Sequence, residues 1–158
     1  MNPINWLKWW WPALVWAAAI TSFSTDAFSG EHTSRFILPA LHWLFPMARL
    51  ETLEFAHFVM RKAAHITEYF LLGLLLLRGV RAGRGGWRME WTAITMAIAA
   101  VLAALDELHQ AFVPSRGASM RDVLIDVCGA AIAQIAFVAA MRLRASWRAA
   151  PAAARPGE

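Results

Sequence analysis

Arg61-Lys62-Ala63-Ala64-His65-Ile66-Thr67-Glu68-Tyr69 runs directly into Phe70-Leu71-Leu72-Gly73-Leu74-Leu75-Leu76-Leu77. A block of ionisable groups thus opens a stretch apolar enough for hydrocarbon. A second junction, Asp106-Glu107-Leu108-His109-Gln110-Ala111-Phe112-Val113-Pro114-Ser115-Arg116, closes an apolar block instead, and Asp122 and Asp126 stand at the head of another. One charge at the centre of a membrane helix costs roughly 2.5–3.5 kcal/mol on insertion scales. Charges retained at these junctions are therefore expected near an interface, paired with one another and in use.

The composition agrees with a membrane setting. The chain has 158 residues, of which 59% are hydrophobic and 16% charged, with a mean hydropathy of +0.44. Soluble domains carry about 25% charged residues. The apolar residues come in blocks rather than in a helical stripe, which disfavours a soluble bundle, and the length suits one domain. The net charge of +4 does not read as a nucleic-acid surface. The arginines lie mostly in one short loop and at the C-terminus, beside apolar blocks, a placement that suits membrane orientation better than a DNA-reading face. Cys128 is the single cysteine, so no disulfide within the chain is possible; its apolar surroundings beside Gly129 suggest a small packing residue.

Four blocks approach the length of a span, about 20 residues. The first covers 6–23. Lys8 ahead of it is reminiscent of a signal peptide, but Trp9, Trp10 and Trp11 and the lack of a clean small-x-small site favour an anchor. Segment 34–45 carries Phe36, Ile37, Leu41, Trp43 and Leu44, holds Pro39 as a point for a kink and is closed by Pro46. It reads as a short interfacial helix. Glu51 opens a long helical pattern to about Val80, with 63–77 suited to hydrocarbon. The third block, 91–108, continues to near Phe112, where Pro114 and Gly117 break it. Ser119-x-x-Asp122 is an N-cap followed by an acid in the first turn, and the fourth block spans 123–141. From Arg142 the chain is rich in Ala, Arg and Pro, as disordered tails are. The expected fold is an all-α polytopic membrane protein with four transmembrane helices plus a short interfacial helix, organised as a domain over 1–145 and a disordered cytoplasmic tail over 146–158.

Lys8, the loop arginines Arg78, Arg81, Arg84 and Arg88, and Arg142, Arg144 and Arg148 all fall on one side of a four-span chain. The positive-inside rule makes that side, and both termini, cytoplasmic in a bacterial inner membrane. Trp6, Trp9 to Trp11, Trp87, Trp91 and Trp147 then form an inner aromatic belt. Asp26, Lys62, His65, Glu68, Asp106, Glu107, Gln110, Arg116, Asp122 and Asp126 meet at the other, outer leaflet.

On helices, Lys62, His65, Glu68 and Tyr69 share a face, as do Asp106 with Gln110 and Asp122 with Asp126. Glu68, Asp106, Asp122 and Asp126 can neutralise Lys62, Arg116 and Arg121. One reading is an ion network that only fixes helix register. The other is a binding site for an anionic lipid headgroup or lipid-linked precursor: Arg116 offers a planar fork for phosphate or carboxylate, Lys62 a point charge, and His65 a proton near neutral pH. Acid/base work by His65, Asp106 or Glu107 on a phospholipid or polyprenyl phosphate stays open. His65-x-x-Glu68 and Glu54-x-x-His57 have the spacing of metal ligands on a helix, and Asp106, Asp122 and Asp126 suit a hard cation. Charge pairing accounts for these residues better, so no metal or cofactor is expected. His32, His42 and His109 read as surface histidines, and Gly129 with Ala133 as a helix-packing pair.

Lys62-x-x-His65-x-x-Glu68-Tyr69, Asp106-Glu107-x-x-Gln110-x-Phe112-x-Pro114-x-Arg116 and Asp122-x-x-x-Asp126-x-x-Gly129, with Ser22 and Ser24 closing the first span, resemble the VanZ-like family of bacterial membrane proteins. The third-span block is the most specific part. The resemblance covers roughly 10–140 and implies a small four-span protein, with a link to teicoplanin-type glycopeptide resistance through the member that named the family. The positions it carries over as a ligand-binding set are Lys62, His65, Glu68, Asp106, Glu107, Gln110, Arg116, Asp122 and Asp126. Asp126 departs from the pattern: relatives often hold asparagine there, and an acid adds charge to the cluster.

Overall fold

The computed structural model describes residues 3–149, and among them every regular element is helical: α1 (Pro3–Phe23), a short 3-10 turn (Asp26–Phe28), α2 (Gly30–Leu44), α3 (Leu50–Arg81), α4 (Met89–Gln110) and α5 (Met120–Ala149). α3, α4 and α5 are long and apolar enough to cross a membrane. α1 has 21 residues, enough for about 32 Å at 1.5 Å per residue. It carries five tryptophans, one lysine and an internal Pro12.

α3 is the central element and packs against α1, α2, α4 and α5. The main chain runs up and down: the C-terminal ends of α1 and α4 lie with the first half of α3 and the start of α5, as the bonds of Ser24, Lys62 and Asp106 show. At the other end Trp91, early in α4, packs with Leu77 and Val80 of α3. The 32 residues of α3 span about 48 Å, against a hydrocarbon layer of about 30 Å. Its first turns therefore have length to spare beyond an apolar layer, and α2 lies beside them.

Small residues share the interior with Tyr69, Leu72 and Leu77, while many large apolar side chains face outward. Ala13, Ala99, Ala103, Ala130 and Ala133 are buried, while Val101, Leu105, Leu124, Ile132 and Ile135 are exposed. Water would not favour that arrangement, but lipid is as apolar as leucine. Helices in lipid associate through close packing of small residues. The α3–α5 seam is the clearest case: a Cβ on Gly73 would lie 3.0 Å from the Ala130 backbone, and one on Gly129 would lie 2.5 Å from the Ile66 carbonyl oxygen. The packing role expected for Gly129 and Ala133 follows from this contact.

Ser29 caps α2 by accepting from the His32 amide at 3.2 Å, so the helix begins before the expected segment at 34. Pro39 lies inside it without ending it, and Phe36 and Trp43 are about four-fifths exposed. α3 ends where Ala82 takes a left-handed conformation (φ 47°), followed by Gly83 (φ 80°). Two expectations need correction. Cys128 is exposed rather than packed, because the inward face of α5 is set by Asp126, Gly129, Ala130 and Ala133 and position 128 turns away. The chain is also helical through Ala149, past the expected start of the tail; alanine and arginine are strong helix formers. Residues 150–158 of that tail lie outside the described residues.

Candidate functional site

Lys62, His65 and Glu68 recur every three residues on α3, and the first two meet α5 in two successive rungs. The Lys62 ammonium pairs with the Asp122 carboxylate. His65 Nδ1 lies 3.0 Å from Asp126 Oδ1, and Asp126 is wholly buried. The close Gly129–Ile66 approach sits one turn below and holds the helices near enough for both rungs.

The second part of the cluster joins α4 to α1. Ser24 Oγ donates to Asp106 Oδ1 at 2.5 Å, and Gln110 Nε2 donates to Asp106 Oδ2 at 2.8 Å. All three residues are buried. Glu107, next along α4, accepts from the Ser119 amide at 2.6 Å and so anchors the entry to α5. The Asp122 amide donates to the Ser119 carbonyl at 2.9 Å at the start of α5.

Arg116 reaches across the α4–α5 loop and donates from Nη2 to the Phe23 carbonyl at 2.7 Å, meeting the carbonyl end of α1. Burial, and then the positive charge of Arg61, lower its pKa from the ordinary value. The expected carboxylate pairing of Arg116 and Arg121 is therefore not what forms: Lys62 takes Asp122, His65 takes Asp126, and Arg116 takes a main-chain oxygen.

A cleft of about 340 Å³ opens beside this arginine. Arg61, Arg116, His65, Glu68 and Ser24 supply its polar lining, and Phe28, Ile37 and Met60 are among its apolar walls. Asp106 instead borders a neighbouring cavity of about 240 Å³ with Tyr69 and His109. Glu107 Oε1, Arg116 Nε and Asp126 Oδ2 are buried without a hydrogen-bond partner. Buried polar groups normally find partners, and three of the six that lack one among the described residues lie in this cluster.

The structure thus brings all nine expected residues to one end of the bundle, in linked parts. Asp26 joins them through Ser115. Glu54-x-x-His57 does not take part, as His57 Nε2 lies 3.2 Å from Thr33 Oγ1 on α2. Among the described residues no three His, Cys, Asp or Glu side chains are arranged to hold a metal ion. His42 and His109 are exposed, and His32 is half-buried against Ser29. Two contributors were missed in the sequence. Arg61 lines the cleft although Lys62 was the expected anion holder; adjacent helical residues point about 100° apart, and the sequence does not say which of two neighbouring cations turns toward a cavity. Ser24 entered only as a span-closing serine, yet it bonds Asp106.

No curated protein and no solved structure matches the chain. The family model VanZ/LLP1 matches residues 9–142, which contains every residue of the cluster just described. On that match over most of its length, with membrane-length helices to carry it, the chain belongs to the VanZ/LLP1 family.

Proposed function

We propose that this protein is a four-span inner-membrane protein, with both termini cytoplasmic, whose cleft at the outer leaflet binds an anionic lipid headgroup or a lipid-linked cell-envelope precursor. The observation that carries the reading is the pair Arg61 and Arg116 on one cleft, neither ion-paired with a carboxylate among the described residues. Two cations sharing a partly buried space repel each other, and an anion between them removes that repulsion and gains charge-assisted hydrogen bonds. Arg116 Nε has no partner and suits a phosphate or carboxylate oxygen. Phe28, Ile37 and Met60 give the same cleft an apolar wall for a lipid chain. Lys62, Asp122, Asp126, Asp106, Gln110 and Glu107 support the cleft by tying α1, α3, α4 and α5 together, and His65 and Glu68 face the ligand. The glycopeptide-resistance link implied by the family would follow if the ligand is a wall precursor, whose capture changes what an antibiotic meets outside.

Lipid extraction from the purified protein tests the reading. Wild-type protein is expected to retain an anionic lipid or polyprenyl phosphate, and Arg61→Gln/Arg116→Gln to lose it with unchanged helicity. Equal lipid content in the two proteins would overturn the site.

A second reading, an enzyme acting on the bound phospholipid or polyprenyl phosphate, is favoured by one observation. His65 lines the cleft with Nδ1 committed to Asp126, which leaves Nε2 for proton transfer. Asp106 and Glu107, the other acid/base candidates, are engaged by Ser24, Gln110 and Ser119. Overexpression would then change membrane headgroup composition, and His65→Gln would abolish the change while lipid stays bound. A variant that binds nothing and alters nothing, in a protein whose loss has no phenotype, would leave a register-locking network.

A further inference from the structure

The opposite end of the bundle holds a second polar cavity, about 660 Å³, between the end of α3, the α3–α4 loop and the last turns of α5. Phe137, Met141, Arg144 and Arg148 recur at helical spacing on one face of α5 and form one wall, with Arg81 of α3 opposite. Arg78, Arg81 and Arg84 are met by neutral groups. Arg78 donates to the Trp9 carbonyl at 2.7 Å and the Lys8 carbonyl at 3.1 Å. Arg84 donates to the Arg81 and Val80 carbonyls, which caps α3. Arg81 donates to the Arg84 carbonyl at 2.8 Å, and its guanidinium carbon stands 4.7 Å from the centre of the Phe137 ring. Glu90, an acid at this end among the described residues, is engaged by Arg88 at 3.0 Å. Arg81 Nε is buried with no hydrogen-bond partner, and the exposed Arg144 lines the same space.

We infer that this groove is a second anion site, which takes the phosphate of an anionic phospholipid headgroup between Arg81 and Arg144 and lays the start of the lipid chain along Phe137 and Met141. Three features support a site over a diffuse basic surface. The Arg81 plane is fixed by its ring stack and carbonyl bond, so its free N–H is preorganised. The groove is partly apolar, which a bulk-water anion would not need. The net positive charge is concentrated on one end of the molecule, where an anionic leaflet attracts arginines. The inference does not depend on the Arg61–Arg116 cleft, which lies at the other end.

Native mass spectrometry of the full-length protein, delipidated and then supplied with phosphatidylglycerol or with phosphatidylcholine of the same chains, tests it. Retention of phosphatidylglycerol over phosphatidylcholine is expected, with a fall of about tenfold in Arg81→Gln/Arg144→Gln. Arg81 also contacts the α3 terminus, so Arg144→Gln alone serves as the variant on an exposed helix surface; a several-fold fall is expected there. Arg142→Gln removes the same charge from the same helix outside the groove and is expected to leave retention unchanged, and repeating the comparison in the Arg61→Gln/Arg116→Gln background removes the lipid of the other cleft from the readout. Equal falls for Arg142→Gln and Arg144→Gln, or equal retention of the two lipids, would overturn the site. Displacement of the lipid by glycerol phosphate would assign recognition to the phosphate itself and a soluble source; no displacement would assign it to the whole lipid.

Discussion

Asp126 carries the most local constraint in the cluster. It is fully buried, one oxygen lies on His65 Nδ1 at 3.0 Å, and the other has no partner. Truncation would leave the His65 ring, about one-eighth exposed, without the acceptor that orients it. A buried polar group left unsatisfied costs about 1–3 kcal/mol. Asparagine keeps an acceptor oxygen in nearly the same place and removes only the charge. Asp126→Ala is therefore expected to lower the thermal unfolding midpoint in detergent clearly, by about 2 kcal/mol of stability, and Asp126→Asn to change it by under about 1 kcal/mol. Equal losses in the two variants would show that the hydrogen bond is not what holds His65. The same comparison separates geometry from charge. A ligand lost in Asp126→Asn but with stability intact would mean that the site uses the carboxylate charge and not only the orientation of the ring.

At the scale of elements, the cluster exists because α3 and α5 approach more closely than ordinary side chains allow. An added Cβ at position 129 would meet the Ile66 carbonyl oxygen at 2.5 Å and its Cα at 3.2 Å, both main-chain atoms that cannot rotate away. Gly129→Ala is expected to separate the helices by a fraction of an ångström just where Lys62–Asp122 and His65–Asp126 bridge them. Overpacking of this kind costs roughly 1–3 kcal/mol. The expected result is a lower unfolding midpoint together with weaker lipid retention, whereas Cys128→Ala, one residue away on the outward face, changes neither. A Gly129→Ala protein with wild-type stability would show that the seam is loose. The elements themselves were legible in the sequence, because long apolar blocks punctuated by Pro114, Gly117 and the Ser119–Asp122 cap leave few alternatives to helix. Partner choice was not: periodicity places Lys62 and Arg61 on a helix, but only the packing against α5 and α2 decides that Lys62 meets Asp122 and Arg61 lines the cleft. The boundary of the tail was placed four residues early for a related reason. Its alanines and arginines looked low in complexity, yet they are good helix formers and extend α5 to Ala149.

The whole molecule is polarised in two senses. Alanines and glycines recur in its interior while many large apolar residues are exposed, and most of its described acids lie at the end with Lys62, Arg61 and Arg116, while Arg78, Arg81, Arg84, Arg88, Arg142, Arg144 and Arg148 crowd the other. The first asymmetry suits a lipid solvent; the second decides which way the bundle stands in it. The proposed orientation rests on the excess arginine in the α3–α4 loop and at the end of α5, which under the positive-inside rule would put those segments in the cytoplasm and the α4–α5 loop outside. Two glycines permit a test that perturbs neither end. A Cβ at Gly85, in the α3–α4 loop, or at Gly117, in the α4–α5 loop, meets nothing within 4 Å, so a cysteine at either position is accommodated and exposed. In a Cys128→Ala background, a membrane-impermeant maleimide applied to intact cells is expected to label Gly117→Cys, and to reach Gly85→Cys only after the membrane is opened. The reverse pattern would invert the protein and move the Arg61–Arg116 cleft to the cytoplasmic leaflet, where a lipid-linked precursor awaiting export, and not one already displayed, becomes the fitting ligand. Labelling of both positions from outside would mean that α4 does not cross, and the cleft and the arginine groove would then face the same solution.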